Sequence, residues 1–411
     1  HRPDAVAASQ RAPYEWQPGR PTVAIVLGPE GANIADVLAP FEVFAATGRL
    51  NVVLVAPTSD PVTLTGGLEV VPQLTLADLD ARLGRPPEVI VVPQINGSTS
   101  EIISWLQAEH RQGAPLIMGV CVGPEVLADA GLLDGRRPTA HWLKLVGLRR
   151  SHPEIDWTDG VRFVDDGDII TTAGVLTGID GSLRIVERLL GADAAARVRT
   201  QLHWNGYRPG GTLTIRAQGL GAADLVGLAS AAYRWNRPRT GVLLSDGVDE
   251  LELAAAFRPY TEKSYLARMA SFSMDGAPIR SRHGLTFLPR DRWSSVAPHL
   301  DRVLLPHADP EASEIIGPSR LPVVVLHRPD EFAFDGALRD IAGSTDVATA
   351  RWVAKTLQYD VPDGTLRGTA WPWVPTITPF LLALVGAAAF APGYRLARHS
   401  SYSGRAASES G

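Results

Sequence analysis

Cys121 is the only cysteine among 411 residues, so it is either a small buried residue or a reactive thiol. A single cysteine excludes an intrachain disulfide and any zinc site built on two thiolates. Cys121 ends the apolar run PLIMGVC (115–121) and precedes Gly123 and the helical pattern PEVLADAGLL (124–133). A side chain at such a strand-to-helix turn stands above the carboxyl edge of a parallel sheet, where open α/β folds bind ligands. The sharp turn exposes the side chain, and the helix N-terminus beyond it favours a thiolate. Backbone N–H groups of the turn suit an oxyanion, which makes Val122, Gly123 and Gly174 the candidate oxyanion or substrate loop.

The elements that would position this turn are legible. TVAIVLG (22–28), NVVLVAP (51–57), EVIVVP (88–93) and PLIMGVC are continuous apolar runs, as strands buried on both faces of a parallel sheet read. Helical patterns follow through Ile34, Val37, Leu38, Phe41 and Phe44, over 98–113 with Ser98 or Thr99 as cap, and over 178–190. VTLTGGLEVVP (62–72) alternates around Gly-Gly and predicts a hairpin. Alternating strands and helices predict an α/β fold with a doubly wound parallel sheet.

The chain also repeats itself. AIVLGPEGANIADVLAPF (24–41) aligns without gaps to TGVLLSDGVDELELAAAF (240–257), placing Asp36 on Glu252 and Phe41 on Phe257. GGLEVVP (66–72) then matches HGLTFLP (283–289), EVIVVP (88–93) matches DRVLLP (301–306), and PLIMG (115–119) matches PVVVL (322–326). Matches in one order predict a tandem duplication. The second copy is shorter, lacking most of 124–170, and Arg328 or His327 stands where a second cysteine would be. The expected layout is a polar lead-in (1–20), a first domain (21–205), a connector (206–239) with a helix over 221–235, and a degenerate second domain (240–360). A linker (361–370), a transmembrane segment (371–394) and a basic tail (395–411) complete it.

Three motifs in order carry a family resemblance. They are ADVLAPFEVFA (35–45), GVCVGPEVLADAGLLDGRRPTAHW (119–142) and TTAGVLTGIDGSL (171–183). Over 21–204 the chain resembles the ThiJ/PfpI family of the class I glutamine amidotransferase-like fold, most like its isonitrile hydratase and AraC-associated branch. The resemblance implies that Cys121 is the nucleophile and that Asp36 is the acid beside it, hydrogen-bonding the sulfur or shuttling a proton. It also brings in His141, 20 residues after Cys121, as a general base or as a ring packed beside Trp142. Gly123 would let the backbone approach a ligand closely. The second copy resembles the family in its sheet framework only, and is expected to pack on the first as an internal pseudo-dimer.

Composition narrows the function. A net charge of −5 disfavours a nucleic-acid partner. The ten histidines are scattered without metal-ligand spacing, and no phosphate-loop glycine pattern follows a strand, so neither metal nor cofactor is expected. From Trp371 to Tyr394 there are 24 uncharged residues, with aromatics at both ends and Arg395, Arg398 and Arg405 beyond. That pattern predicts a single-pass membrane anchor with a cytoplasmic tail and the domains outside, in an exported chain. The alternative is a soluble cytoplasmic protein with a buried C-terminal helix. The expected function is cysteine chemistry on a small electrophile, by isonitrile hydratase-like hydration or hydrolysis. The alternative is a non-catalytic ligand or redox sensor, or a structural protein, of the same fold.

Overall fold

The computed structural model describes residues 14–406 apart from 98, 210–213, 216, 228–235 and 363; in the C-terminal helix it describes side chains only as far as 390, apart from 375. Thr22–Val26 is fully buried and central, as its unbroken apolar run requires. It pairs in parallel with Asn51–Ala56 on one side and Val89–Val92 on the other. Leu74–Thr75 lies beyond the first of these. Leu116–Gly119 and Ile169–Thr172 continue the sheet beyond the second, and the antiparallel Phe163–Asp166 closes that edge.

A second sheet is built on Arg239–Leu243, which pairs in parallel with Arg268–Ser273 and Arg302–Leu305. Asp291–Arg292 and Val323–Val325 are its outer strands. Its order is that of the first sheet without the last two strands. The residues for those strands are missing from the second sequence repeat, so the sheet ends early.

The hairpin expected over 62–72 forms from Val62–Leu64 and Leu68–Val70. It pairs with Thr286–Leu288, its counterpart in the second repeat, through Val70 and Phe287. The helices Ile34–Ala45 and Glu250–Thr261 also pack on one another. A single apolar core therefore runs from Val23 through Phe41 and Phe257 to Leu338. A separate core on the other face of the first sheet contains Val53, Ile90, Leu106 and Ile117.

Other elements follow the sequence with trimmed ends. Ser100–Gly113 is a helix whose N-cap is Thr99, accepting from the Ile102 N–H; Ser98 lies outside the described residues. The helix after the cysteine is shorter than its pattern, Gly123–Asp129. Of the helix expected over 221–235, Ala222–Asp224 forms a 3₁₀ turn and 228–235 lie outside the described residues, as do 1–13 of the lead-in.

The expected transmembrane segment at 371–394 is not supported. A helix does run Trp373–Ala406, with Phe380, Leu381, Leu384, Val385 and Phe390 exposed. Among the described residues, however, no helix is long and apolar enough to cross a membrane. The orientation assigned to the tail 395–411 rested on that segment and loses its support; 407–411 lie outside the described residues.

Candidate functional site

Cys121 sits at φ 60°, in the left-handed region that a non-glycine residue enters at a cost of about 1–2 kcal/mol. Two neighbours fix it there. Its N–H reaches Thr172 Oγ1 at 3.4 Å, and its carbonyl accepts from His141 N at 2.8 Å. Gly123 makes the turn possible, because a Cβ on it would lie 1.9 Å from the Val92 carbonyl oxygen. This is the strand-to-helix elbow read from the sequence.

The same elbow is not exposed, which corrects the expectation of an open thiol. Cys121 is only 2% exposed. Burial pushes its thiol well above the ordinary range, and the carboxyls of Asp36 and Glu262 push it further; Arg258 acts the other way. The favourable helix N-terminus does not overcome this, because desolvation of a charge in a closed site outweighs one turn of backbone dipoles. The sulfur points at Gln94, with Sγ 3.9 Å from Oε1.

Asp36 is fully buried in the first turn of its helix. Its backbone N–H is capped by Asn33 Oδ1, and its Oδ2 accepts from the Gln94 N–H at 3.2 Å. Among the described residues the other oxygen, Oδ1, has no hydrogen-bond partner. Burial raises its pKa well above the carboxylate range, more than the opposing Arg258 lowers it. Burial thus favours the protonated form of the acid beside the thiol.

His141 is adjacent to Cys121 through its backbone, but its ring is committed elsewhere. Nδ1 accepts from Leu143 N at 3.3 Å, so the proton is on Nε2, which donates to the Thr356 carbonyl at 3.0 Å. Burial pushes its pKa down to about 4, leaving the ring neutral and stacked on Trp142. Val122 is the N-cap of the following helix without a side-chain cap. The Gly123 N–H donates to Val120 O at 2.7 Å and is not free for an oxyanion. The Gly174 N–H is likewise held, by Thr177 Oγ1 at 2.8 Å.

Several site residues escaped the sequence reading. Gln94 carried a usable signal: it directly follows the strand Val89–Val92 and Pro93, at the same sheet edge as Cys121. Arg258, Glu262 and Gln358 carried none, because they come from the second repeat. Arg258 is 2% exposed and pairs with Glu262 at 3.2 Å. Glu262 in turn accepts from Asn33 Nδ2 at 2.8 Å, tying the second half to the cap of the Asp36 helix. Among the described residues no group of three or more His, Cys, Asp or Glu side chains could hold a metal ion.

Residues 21–188 match the DJ-1/PfpI family. Isonitrile hydratase of Pseudomonas putida is 32% identical over 176 residues, which cover 41% of this chain and 72% of that protein. The HTH-type transcriptional regulator CdhR of Pseudomonas aeruginosa is 37% identical over 111 residues, 27% of this chain and 32% of that protein. This chain thus spans about a third of that regulator. Among solved structures, a ThiJ/PfpI family protein from Pseudomonas syringae is 26% identical, with a TM-score of 0.40, covering 51% of this chain and 84% of that one.

Proposed function

The chain belongs to the DJ-1/PfpI family, and from that premise we propose that Cys121 is the nucleophile of a site that hydrates a small uncharged electrophile of the isonitrile class. The observation that carries this reading is the pairing of a thiol on a strained elbow with a fully buried Asp36, whose burial favours the protonated form. A closed site with a protonated acid suits a substrate without charge, which enters without a desolvation penalty of its own. The carbon of an isonitrile is both basic and electrophilic once protonated. Asp36 gives its proton to that carbon while the sulfur bonds to it, and the thiol proton returns to Asp36. The product is a thioimidate, R–N=CH–S–Cys. Water then adds at the same carbon, the C–S bond breaks, and sulfur regains its proton as the N-substituted formamide leaves. In this reading His141 holds the loop beside Cys121 and keeps its Nε2 proton, donated to the Thr356 carbonyl. The second half stands where a partner subunit would, closing the site with Arg258 and Glu262.

The ligand-sensor alternative draws on the enclosure of Cys121, and regulators share the domain. A redox sensor fits less well, since it needs an accessible thiolate. The test is formamide production from a small alkyl isonitrile by the full chain, followed by mass spectrometry, beside Cys121→Ser and Asp36→Asn. The expected result is turnover that Cys121→Ser abolishes and Asp36→Asn reduces by about 10²-fold or more. Turnover that survives Cys121→Ser, or none above the uncatalysed rate, overturns the reading.

A further inference from the structure

Cys121 is so enclosed that something must open before any molecule reaches it, and one segment of the second half bears on the residues around its elbow. The segment Thr356–Gln358, at the end of the helix Val347–Leu357, lies on three places around the elbow. Thr356 O accepts from His141 Nε2, Leu357 O accepts from Leu176 N at 3.1 Å, and the Gln358 side chain rests on Gly174. That last contact is close enough that a Cβ on Gly174 would meet Oε1 at 2.2 Å. Gly174 O is in turn joined through Thr172 Oγ1 to the Cys121 N–H.

Behind the same glutamine lies a cavity of about 640 Å³, lined by Arg162, Arg351, Lys355, Tyr359 and Leu366 as well as by Gln358. Arg162 is neutralised by Asp180 and Lys355 by Asp224, which leaves Arg351 opposite Asp360 on the lining. The balance suits a small polar molecule without net charge.

We propose that this cavity is the entrance to the Cys121 site and that the Gln358 side chain is the gate between them. The gate is loosely held. Gln358 is 7% exposed, yet its Oε1 has no hydrogen-bond partner, and its amide makes no hydrogen bond among the described residues. Rotating it away breaks no bond. Its backbone, at φ 53°, is the left-handed cap of the helix, its N–H bonded to the Ala354 and Lys355 carbonyls, so the side chain turns on a fixed base. Thr356 and Leu357, by contrast, are tied by the two backbone contacts and stay as the hinge side.

The inference takes Cys121 as the reacting group of the proposed function, but its test reads access to the thiol and not turnover, so the two fail separately. Iodoacetamide alkylates the full chain at its one cysteine: sulfur displaces iodide, an S–CH₂ bond forms, and the thiol proton passes to buffer. Intact mass gives the rate. Gln358→Ala should accelerate alkylation several-fold. Gln358→Met, which keeps the bulk and lacks the amide, should leave the native rate. Arg351→Trp, placed on the exposed rim to fill the cavity, should slow it, and should slow the double variant with Gln358→Ala equally. Rates unchanged by both Gln358→Ala and Arg351→Trp overturn the proposal. So does an acceleration by Gln358→Ala that persists in the double variant, which would mean general loosening. A Gln358→Met variant as fast as Gln358→Ala also counts against a steric gate.

Discussion

At the carboxyl end of the first sheet Asp36 shares a closed space with a thiol and an amide, and at the matching place in the second sheet Glu252 shares its space with two imidazoles. Glu252 Oε2 is 2.9 Å from His307 Nδ1, and Oε1 is 3.7 Å from His327 Nε2. His307 stands at the position of Gln94, and Arg328 or His327 at that of Cys121. The charge supplied from across the helix pair is also reversed. Arg258, the residue after Phe257, acts on Asp36. Glu42, the residue after Phe41, faces Glu250, Asp249 and Glu252, and burial among them raises its pKa well above the usual carboxylate range. One framework therefore holds a neutral acid beside a nucleophile at one end and an acid–imidazole cluster without one at the other. The sheet sets where such groups sit, and the residue facing them from the other half sets their charge.

The largest expected effect comes from removing that facing charge. Arg258→Met leaves the partly buried Glu262 without its guanidinium and should cost about 3 kcal/mol in urea denaturation, the low end for a buried pair. Glu42→Gln keeps the bond to the Leu251 N–H and removes a carboxyl whose burial among other acids favours its protonated form. Its stability at neutral pH should stay within about 0.5 kcal/mol of the parent or rise. Equal losses in the two variants would show that the reversal of charge has no energetic content.

A smaller effect separates the halves by pH. The folded pKa of His141 is lowered from 6.5 to about 4, so the unfolded chain binds more protons between those values and stability falls as pH drops through that window. A tenfold change in proton affinity is worth about 1.4 kcal/mol, which puts the loss at no more than about 3 kcal/mol. Glu42 has the opposite sign: its raised folded pKa gives stability that is present at low pH and is lost as pH rises above the ordinary carboxylate value. His141→Gln should remove the first slope and Glu42→Gln the second, read from urea midpoints between pH 4 and 8. A His141→Gln variant with the parent's acid slope would mean that its ring is not held neutral.

The smallest effect sharpens the second cluster. The hydrogen bond that His307 donates to Glu252 raises its pKa above the usual value of 6.5. Glu252→Gln should bring it down toward that value in an NMR titration while leaving Cys121 alkylation unchanged. A change in alkylation would show that the two ends communicate.

Much of the scaffold could be read from local pattern. Buried parallel strands announce themselves as unbroken apolar runs, and the elbow announces itself as Cys121 two residues before a glycine. The second sheet was legible as segments that align with the first in the same order, and its shorter extent from the missing residues after 322–326. The enclosure of the thiol was not legible. The motif suggests an open, activated cysteine, whereas the structure buries it and burial raises its pKa. His141 was legible as a neighbour of Cys121 but not as a ring with both nitrogens occupied, since one of those partners lies 215 residues away.

The sequence by itself determined the strands, the order in which they repeat, and the elbow that only Gly123 permits, because each of these depends on residues close in the chain or on steric limits of the backbone. Only the tertiary structure decided the protonation of Asp36 and Cys121, the reversed charges of Arg258 and Glu42, and the glutamine over Gly174. Those depend on desolvation and on groups that meet across two halves, as Asn33 and Glu262 do over 229 residues of chain.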